Sequence, residues 1–263
     1  MDLELDGVSL AYRRTRKNIL SNLNLKLDSE KIAVVGPNGS GKTTIIKGII
    51  GLTEITSGSV RLFGEDIRNV SGMTGVASNL VDTYRILEAP ARIIMETYCS
   101  MLNTEPEKIV SHLKKYEMLS ILPKRLRELS TGQQKIFCNI MALEFGRRIA
   151  LLDEPFETLD MQRRLMQLQD LKNFKGSILL NTHDFGALKS LPGFGMYIII
   201  EGKLYGKFNS RDINRLYLTK GEVSQAISII HTNYGTFCIT MDEGDIPLSI
   251  STDLSDSIQE VIG

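Results

Sequence analysis

An apolar run, Ile32-Ala33-Val34-Val35, leads straight into Gly36-Pro37-Asn38-Gly39-Ser40-Gly41-Lys42-Thr43. The octet fits the pattern G-x-x-x-x-G-K-[ST], and a helix-like segment from Thr44 to Ile50 follows it. The spacing therefore predicts a strand, a tight loop and a helix in succession. Glycines let backbone N–H groups turn inward as a nest for phosphate oxygens, and the helix N-terminus adds partial positive charge. Lys42 can then reach β- and γ-phosphates, and the Thr43 hydroxyl can bind Mg²⁺, with Thr44 completing the binding stretch. A Gly-rich turn closing a strand would explain the glycines but not the Gly-Lys-Thr run. The expectation is a nucleoside triphosphate site over residues 36–44.

The chain has 263 residues, enough to bury a full core and to suit one α/β domain with a small appendage. Apolar content of 42% and charged content of 24% are those of an ordinary soluble globular protein. Overall charge balances, which gives no push toward nucleic acid as a partner. Its distribution is uneven. All 31 basic residues and 24 of the 31 acidic ones precede Gly221, so the first 220 residues carry +7 and the remainder −7. That step places a boundary at Lys220-Gly221, separating a main domain over 1–220 from an acidic extension over 221–263. Cys99, Cys138 and Cys238 lie far apart, which fits free thiols in a reducing cytosol better than a disulfide framework or a zinc site. The acidic, alternating N-terminus is the opposite of a secretory signal. No uncharged apolar stretch approaches the roughly 18 residues of a membrane span, so a transport role would put the channel on another polypeptide.

Leu3 to Tyr12 and Leu23 to Leu27 alternate as half-exposed strands, an antiparallel element ahead of the loop. Short wholly apolar runs at 32–35, 149–152, 178–180 and 197–200 read as central strands of a parallel sheet. Leu87 to Leu122 is helical in pattern, interrupted around Asn103–Pro106, so a helical subdomain is expected over about 80–145. A turn at Glu201-Gly202-Lys203 leads to a strand over 204–208, and Asp212 to Leu218 suggests a closing helix. The extension reads as a helix from Glu222, strands around 236–240 and 246–250, and a last helix from Asp253.

Two further clusters carry chemistry. The strand ending Leu151-Leu152-Asp153-Glu154 delivers Asp153 toward Mg²⁺, partly through water, and Glu154 toward an attacking water. By itself such a pair could be only an acidic strand end. Leu129-Ser130-Thr131-Gly132-Gln133 opens an apolar-faced helix, with Ser130 also a natural N-cap. At these residues the chain resembles the ABC ATPase family. Leu129 to Gln133 is similar to the signature Leu-Ser-Gly-Gly-Gln, with Thr131 in place of its first glycine. The order of phosphate loop, helical insertion, signature, Asp153-Glu154, Thr158-Leu159-Asp160 and Thr182-His183-Asp184 is also that of the family, over residues 1 to about 218.

The resemblance implies a P-loop NTPase fold of α/β class: a parallel-sheet core, an antiparallel β element, a helical subdomain and here a small α+β extension. It implies ATP and Mg²⁺ as ligands. Tyr12 takes the place of the adenine-stacking aromatic, though a plain strand aromatic serves as well. Ser130, Gly132 and Gln133 are expected to close over the γ-phosphate held by a second copy, in a head-to-tail homodimer or a heterodimer with another ABC ATPase. Asp160 is expected at that seam, and His183 at the γ-phosphate or the water. With Lys42, Glu154 and His183 form the catalytic set. Where the family has a glutamine that meets Mg²⁺ or water, this chain has Asn79, whose stem is one methylene shorter. Three function classes follow: the motor subunit of an importer or exporter, with cobalt or another metal ion among its cargoes; a soluble ABC ATPase, for instance in iron–sulfur assembly; and DNA repair or chromosome structure, which would need a long coiled coil that is not present. The first implies membrane-spanning partner subunits and a peripheral place on the inner face of the cell membrane. The acidic extension is either a regulatory or dimer-stabilising subdomain or a solvated cap.

Overall fold

Burial follows alternation along the second half of the second strand. A computed structural model describes residues 1–12, 18–69, 75–145 and 148–250. Contacts divide the chain into two units, Met1–Val70 with Asn181–Gly263, and Ser71–Leu180. The first unit begins with β1 (Leu3–Ala11) and β2 (Asn18–Leu27), paired antiparallel with Leu3 opposite Leu27 and Leu10 opposite Leu20. Alternate residues Leu23, Leu25 and Leu27 are buried while their neighbours face water, as a one-sided antiparallel sheet requires. β3 (Lys31–Val35) has only apolar residues after Lys31, and all of them are buried. It feeds α1 (Lys42–Ile49) through the glycine loop. β4 (Glu54–Leu62) then pairs antiparallel with β1, and the short β5 (Glu65–Asp66) with β4. β4 escaped sequence reading because most of its positions are exposed and Gly58 interrupts it.

The second unit opens with β6 (Val76–Ser78) and the helices α2 (Val81–Arg85), α3 (Ala91–Leu102), α4 (Pro106–Lys115) and α5 (Thr131–Phe145). The expected interruption between α3 and α4 has a physical cause. Asn103 ends α3 in the left-handed region at φ 49°, and Pro106 starts α4 where its missing N–H costs nothing. The helices bury Ile94, Met95, Ile109, Leu113, Phe137 and Ile140 against one another. Tyr98 bridges the rings of Tyr84 and Phe145 at 5.2 and 6.0 Å between centroids. β7 (Ile149–Asp153) lies parallel to β6, with Val76 opposite Ile149 and Ser78 opposite Leu151. α6 (Met161–Asn173) follows, and β8 (Ser177–Thr182) carries the chain out of this unit between Leu180 and Asn181.

Back in the first unit come α7 (Phe185–Lys189), β9 (Gly195–Ile200) and β10 (Lys203–Asn209). β9 is parallel to β3, with Val35 opposite Ile198, and antiparallel to β10. The remaining strands are β11 (Leu216–Lys220), β12 (Ser228–Thr232), β13 (Gly235–Met241) and β14 (Ile246–Pro247), in one antiparallel sheet ordered β12-β13-β11-β14.

This end of the chain corrects the sequence reading. The closing helix expected over 212–218 is a single 3₁₀ turn, Ser210–Asp212, followed by β11. The helix expected from Glu222 is absent; turns lead to β12, and a 3₁₀ turn over Leu248–Ile250 replaces most of the last strand. The helix expected from Asp253 lies outside the described residues. β11 pairs with β13, Leu218 opposite Ile239, so strands on either side of the charge step at Lys220-Gly221 share one sheet. The three cysteines are free and buried. Burial pushes the Cys138 thiol up to about 12 and raises that of Cys99 as well.

Candidate functional site

In the first unit the chain leaves β3 at Gly36 beside the carbonyl of Ile199. A Cβ on Gly36 would sit 2.3 Å from that oxygen, so the close approach excludes any side chain. Gly41, at φ 101°, turns the loop into α1 and would press a Cβ to 2.4 Å from Leu20 Cδ2. Two residues at the end of β8 hold the loop. The Gly36 N–H donates to the Thr182 carbonyl at 3.3 Å, and Asn181 Nδ2 donates to the Lys42 carbonyl at 2.5 Å. Lys42 is buried, and its ammonium donates to the Gly36 and Pro37 carbonyls at 2.7 and 3.0 Å. Pro37 is half-buried, Asn38 and Gly39 are exposed at the loop's crest, Thr43 is half-buried and Thr44 buried. His183 follows Thr182 directly, half-buried, and Asp184 caps α7 by accepting from the Ala187 N–H at 2.9 Å. Tyr12, just past β1, is 51% exposed.

This loop fits a polyphosphate. α1 has no acidic residue in its first turn and no side-chain cap, so nothing local neutralises its positive end. The buried Ser40 hydroxyl has no hydrogen-bond partner among the described residues. An unpaired buried hydroxyl is costly unless a ligand oxygen meets it.

In the second unit β7 ends at Asp153, and Glu154 turns at φ 45°, a backbone region that favours glycine. The following turn reaches Asp160, which is the N-cap of α6 and accepts from the Arg163 N–H at 2.9 Å. Ser130 and Gln133 hold the start of α5 reciprocally. The Gln133 N–H donates to Ser130 Oγ at 3.2 Å, and the Ser130 N–H donates to Gln133 Oε1 at 3.1 Å. The N-cap expected of Ser130 is therefore present. Gly132 rests near the Thr158 carbonyl.

The Asn79 amide is engaged by protein groups around Asp153. Its side chain is 2% exposed, and its amide is committed to the protein. Oδ1 accepts from the Asp153 N–H at 2.7 Å, while Nδ2 donates to the Asp153 carbonyl at 3.1 Å and to Asn139 Oδ1 at 2.7 Å. Sequence reading missed Asn139 and also Lys135, whose ammonium donates to the Asp153 carbonyl at 3.0 Å. The available signal was an amide set inside the apolar run Ile136-Phe137-Cys138-Asn139-Ile140-Met141.

Residues 20–157 match the protein family described as ABC transporter. The manganese transport system ATP-binding protein MntB of Listeria monocytogenes is 30% identical over 197 residues, spanning 70% of this chain and 80% of that protein. A solved structure of a putative cobalt transport ATP-binding protein superposes with a TM-score of 0.88 at 25% identity, covering 98% of this chain and 99% of that one. A dimeric ATP-binding cassette bound to ADP and Pi shares the fold, with a TM-score of 0.67 at 21% identity over 80% of this chain and 99% of its own. With the glycine loop around Lys42 between β3 and α1, the capped start of α5 and the match over residues 20–157, this chain belongs to the ABC transporter family.

Proposed function

We propose that this chain is the ATP-binding and ATP-hydrolysing subunit of an ABC-type membrane transporter, and that a metal cation is its cargo. The observation that carries the ATP reading is the loop between β3 and α1, with buried Lys42, an unpartnered Ser40 hydroxyl and an unneutralised helix end. Lys42 and the loop N–H groups take the β- and γ-phosphates. Thr43 and Asp153 supply oxygen donors for Mg²⁺, which neutralises phosphate charge when bound. No group of three or more His, Cys, Asp or Glu side chains suited to a metal occurs among the described residues. Glu154 takes the proton of the attacking water, and His183 donates to the γ-phosphate as its charge redistributes.

Ser130, Gly132 and Gln133 complete the pocket of a second copy, and Asp160 lies at the seam. Ser130 is exposed and Gly132 and Gln133 partly so, which leaves them accessible to a partner, and the dimeric cassette of the same fold supports the pairing. No helix among the described residues is long and apolar enough to cross a membrane. Membrane-spanning subunits and a place at the inner membrane face follow from the transport reading. The manganese and cobalt systems named for two relatives support a metal cargo and favour transport over a soluble role. The reading is tested with Lys42→Ala, which should lose ATP binding and turnover while melting as cooperatively as wild type. ATPase activity at the wild-type level in that variant refutes it.

A further inference from the structure

The turn after β7 must hold two carboxylates in fixed directions although Glu154 lies in a strained backbone region. Within the second unit, a set of buried amides grips this turn. Asn79 follows β6, and its backbone N–H donates to the Leu151 carbonyl at 3.1 Å, continuing the ladder with β7. Its side-chain amide then does what a next peptide group of the strand would do. It accepts from the N–H of Asp153 and donates to the carbonyl of the same residue.

Asn139, on α5 and 0% exposed, supports it from behind. Asn139 Oδ1 accepts from Asn79 Nδ2, and Asn139 Nδ2 donates to the Pro155 carbonyl at 2.8 Å and to Gln167 Oε1 of α6 at 3.2 Å. The direction of each amide is fixed by its neighbours. The Asp153 N–H needs an oxygen opposite it, and the Pro155 carbonyl needs an N–H. All four side-chain N–H groups of the two amides thereby donate, and the backbone groups they engage, at Asp153 and Pro155, flank Glu154.

We propose that Asn79 and Asn139 form a positioning clamp for the acid pair, setting the backbone at Asp153 and Pro155 and through it the aim of the Asp153 and Glu154 carboxylates. The clamp rests on the ATPase reading above, since it is the chemistry assigned to those carboxylates that it serves. Its shape explains why asparagine stands at position 79. A glutamine there carries one more methylene and would push its amide past the Asp153 backbone by about one bond length. Asn79 is thus a positioning residue that touches neither nucleotide nor metal.

The test measures ATPase kinetics, ATP binding and thermal melting on the full chain for Asn79→Gln, Asn79→Ala, Asn139→Ser, Asn139→Ala and the double alanine variant. A misaligned acid pair should lower kcat about ten- to a hundredfold, with the KM for ATP within about twofold because the loop around Lys42 is untouched. The double variant should be no slower than the slower single variant, since both act through one clamp. Asn79→Gln is the sharpest arm and does not depend on the alanine variants folding. If the position needs only an amide facing the nucleotide, glutamine keeps or raises kcat; if the clamp is real, glutamine lowers it with ATP affinity unchanged. Wild-type kcat in Asn79→Gln, or losses that multiply in the double variant, would overturn the proposal. If wild type hydrolyses ATP and Lys42→Ala does not, such a result removes the clamp alone; a wild type without ATPase activity removes the underlying reading as well.

Discussion

Glu154 sets a carboxylate just past β7 on a backbone that is costly for a residue with a side chain. Its φ of 45° costs a non-glycine residue on the order of 1 kcal/mol, a cost retained where the conformation aims a functional group. If Glu154 takes the proton of the attacking water, the amide of Glu154→Gln keeps its size and backbone but cannot accept that proton. Turnover should drop about a hundred- to a thousandfold while ATP binding persists. With hydrolysis blocked, the ATP-bound form should accumulate as a dimer on size-exclusion chromatography. A persistent monomer with saturating ATP would count against the shared pocket. At this scale the succession of strand, glycine loop and helix around Lys42 was legible, because its residue types and spacing are dictated by backbone geometry. Asn79 was legible as a position but not in its use, since nothing in the chain order reveals that its amide would turn onto Asp153.

Among the helices of the second unit, His112 on α4 joins three elements. Its Nδ1 lies 3.1 Å from Glu144 of α5 and its Nε2 2.8 Å from Asp170 of α6. Asp170 also accepts from Tyr116 at 2.6 Å and pairs with Lys115. Burial pushes the imidazole pKa down, but the bonds to Asp170 and Glu144 outweigh it and raise the value to about 9. A histidine raised in the folded state stabilises fully below its unfolded value near 6.5 and loses that contribution as pH rises through about 9. Denaturant unfolding should therefore show wild type losing up to about 3 kcal/mol more than His112→Gln between about pH 6 and pH 10. Parallel curves for the two proteins would mean the cluster contributes nothing pH-dependent.

Element types were readable wherever one period ruled the segment. The apolar runs became β3, β7, β8 and β9 because only a doubly covered strand buries every residue. Residues 212–218 misled because Ile213, Leu216 and Tyr217 fall at helical spacing. Pairing of Leu216 with Met241 and Leu218 with Ile239 outweighs that local pattern.

On the scale of the molecule, the acidic extension supplies β12, β13 and β14 of the sheet that holds β11. β13 lies between β11 and β12 and buries Phe237 and Ile239 with Leu216, Leu218 and Ile230. Cutting the chain after Lys220 would leave β11 without its partner and expose Leu216 and Leu218, each worth about 1.5–3 kcal/mol when buried. That truncation should lower the melting temperature by several degrees or more and promote aggregation. An unchanged melting curve would show that the sheet adds nothing to the stability of the body.

The enclosure of all three cysteines has a practical corollary. A maleimide dye added to the native chain should find almost no accessible sulfur to attack, so no background substitutions are needed. A lone Met161→Cys, at a side chain 72% exposed beside Asp160, would carry the only label, and fluorescence quenching between two such labels would report when protomers meet.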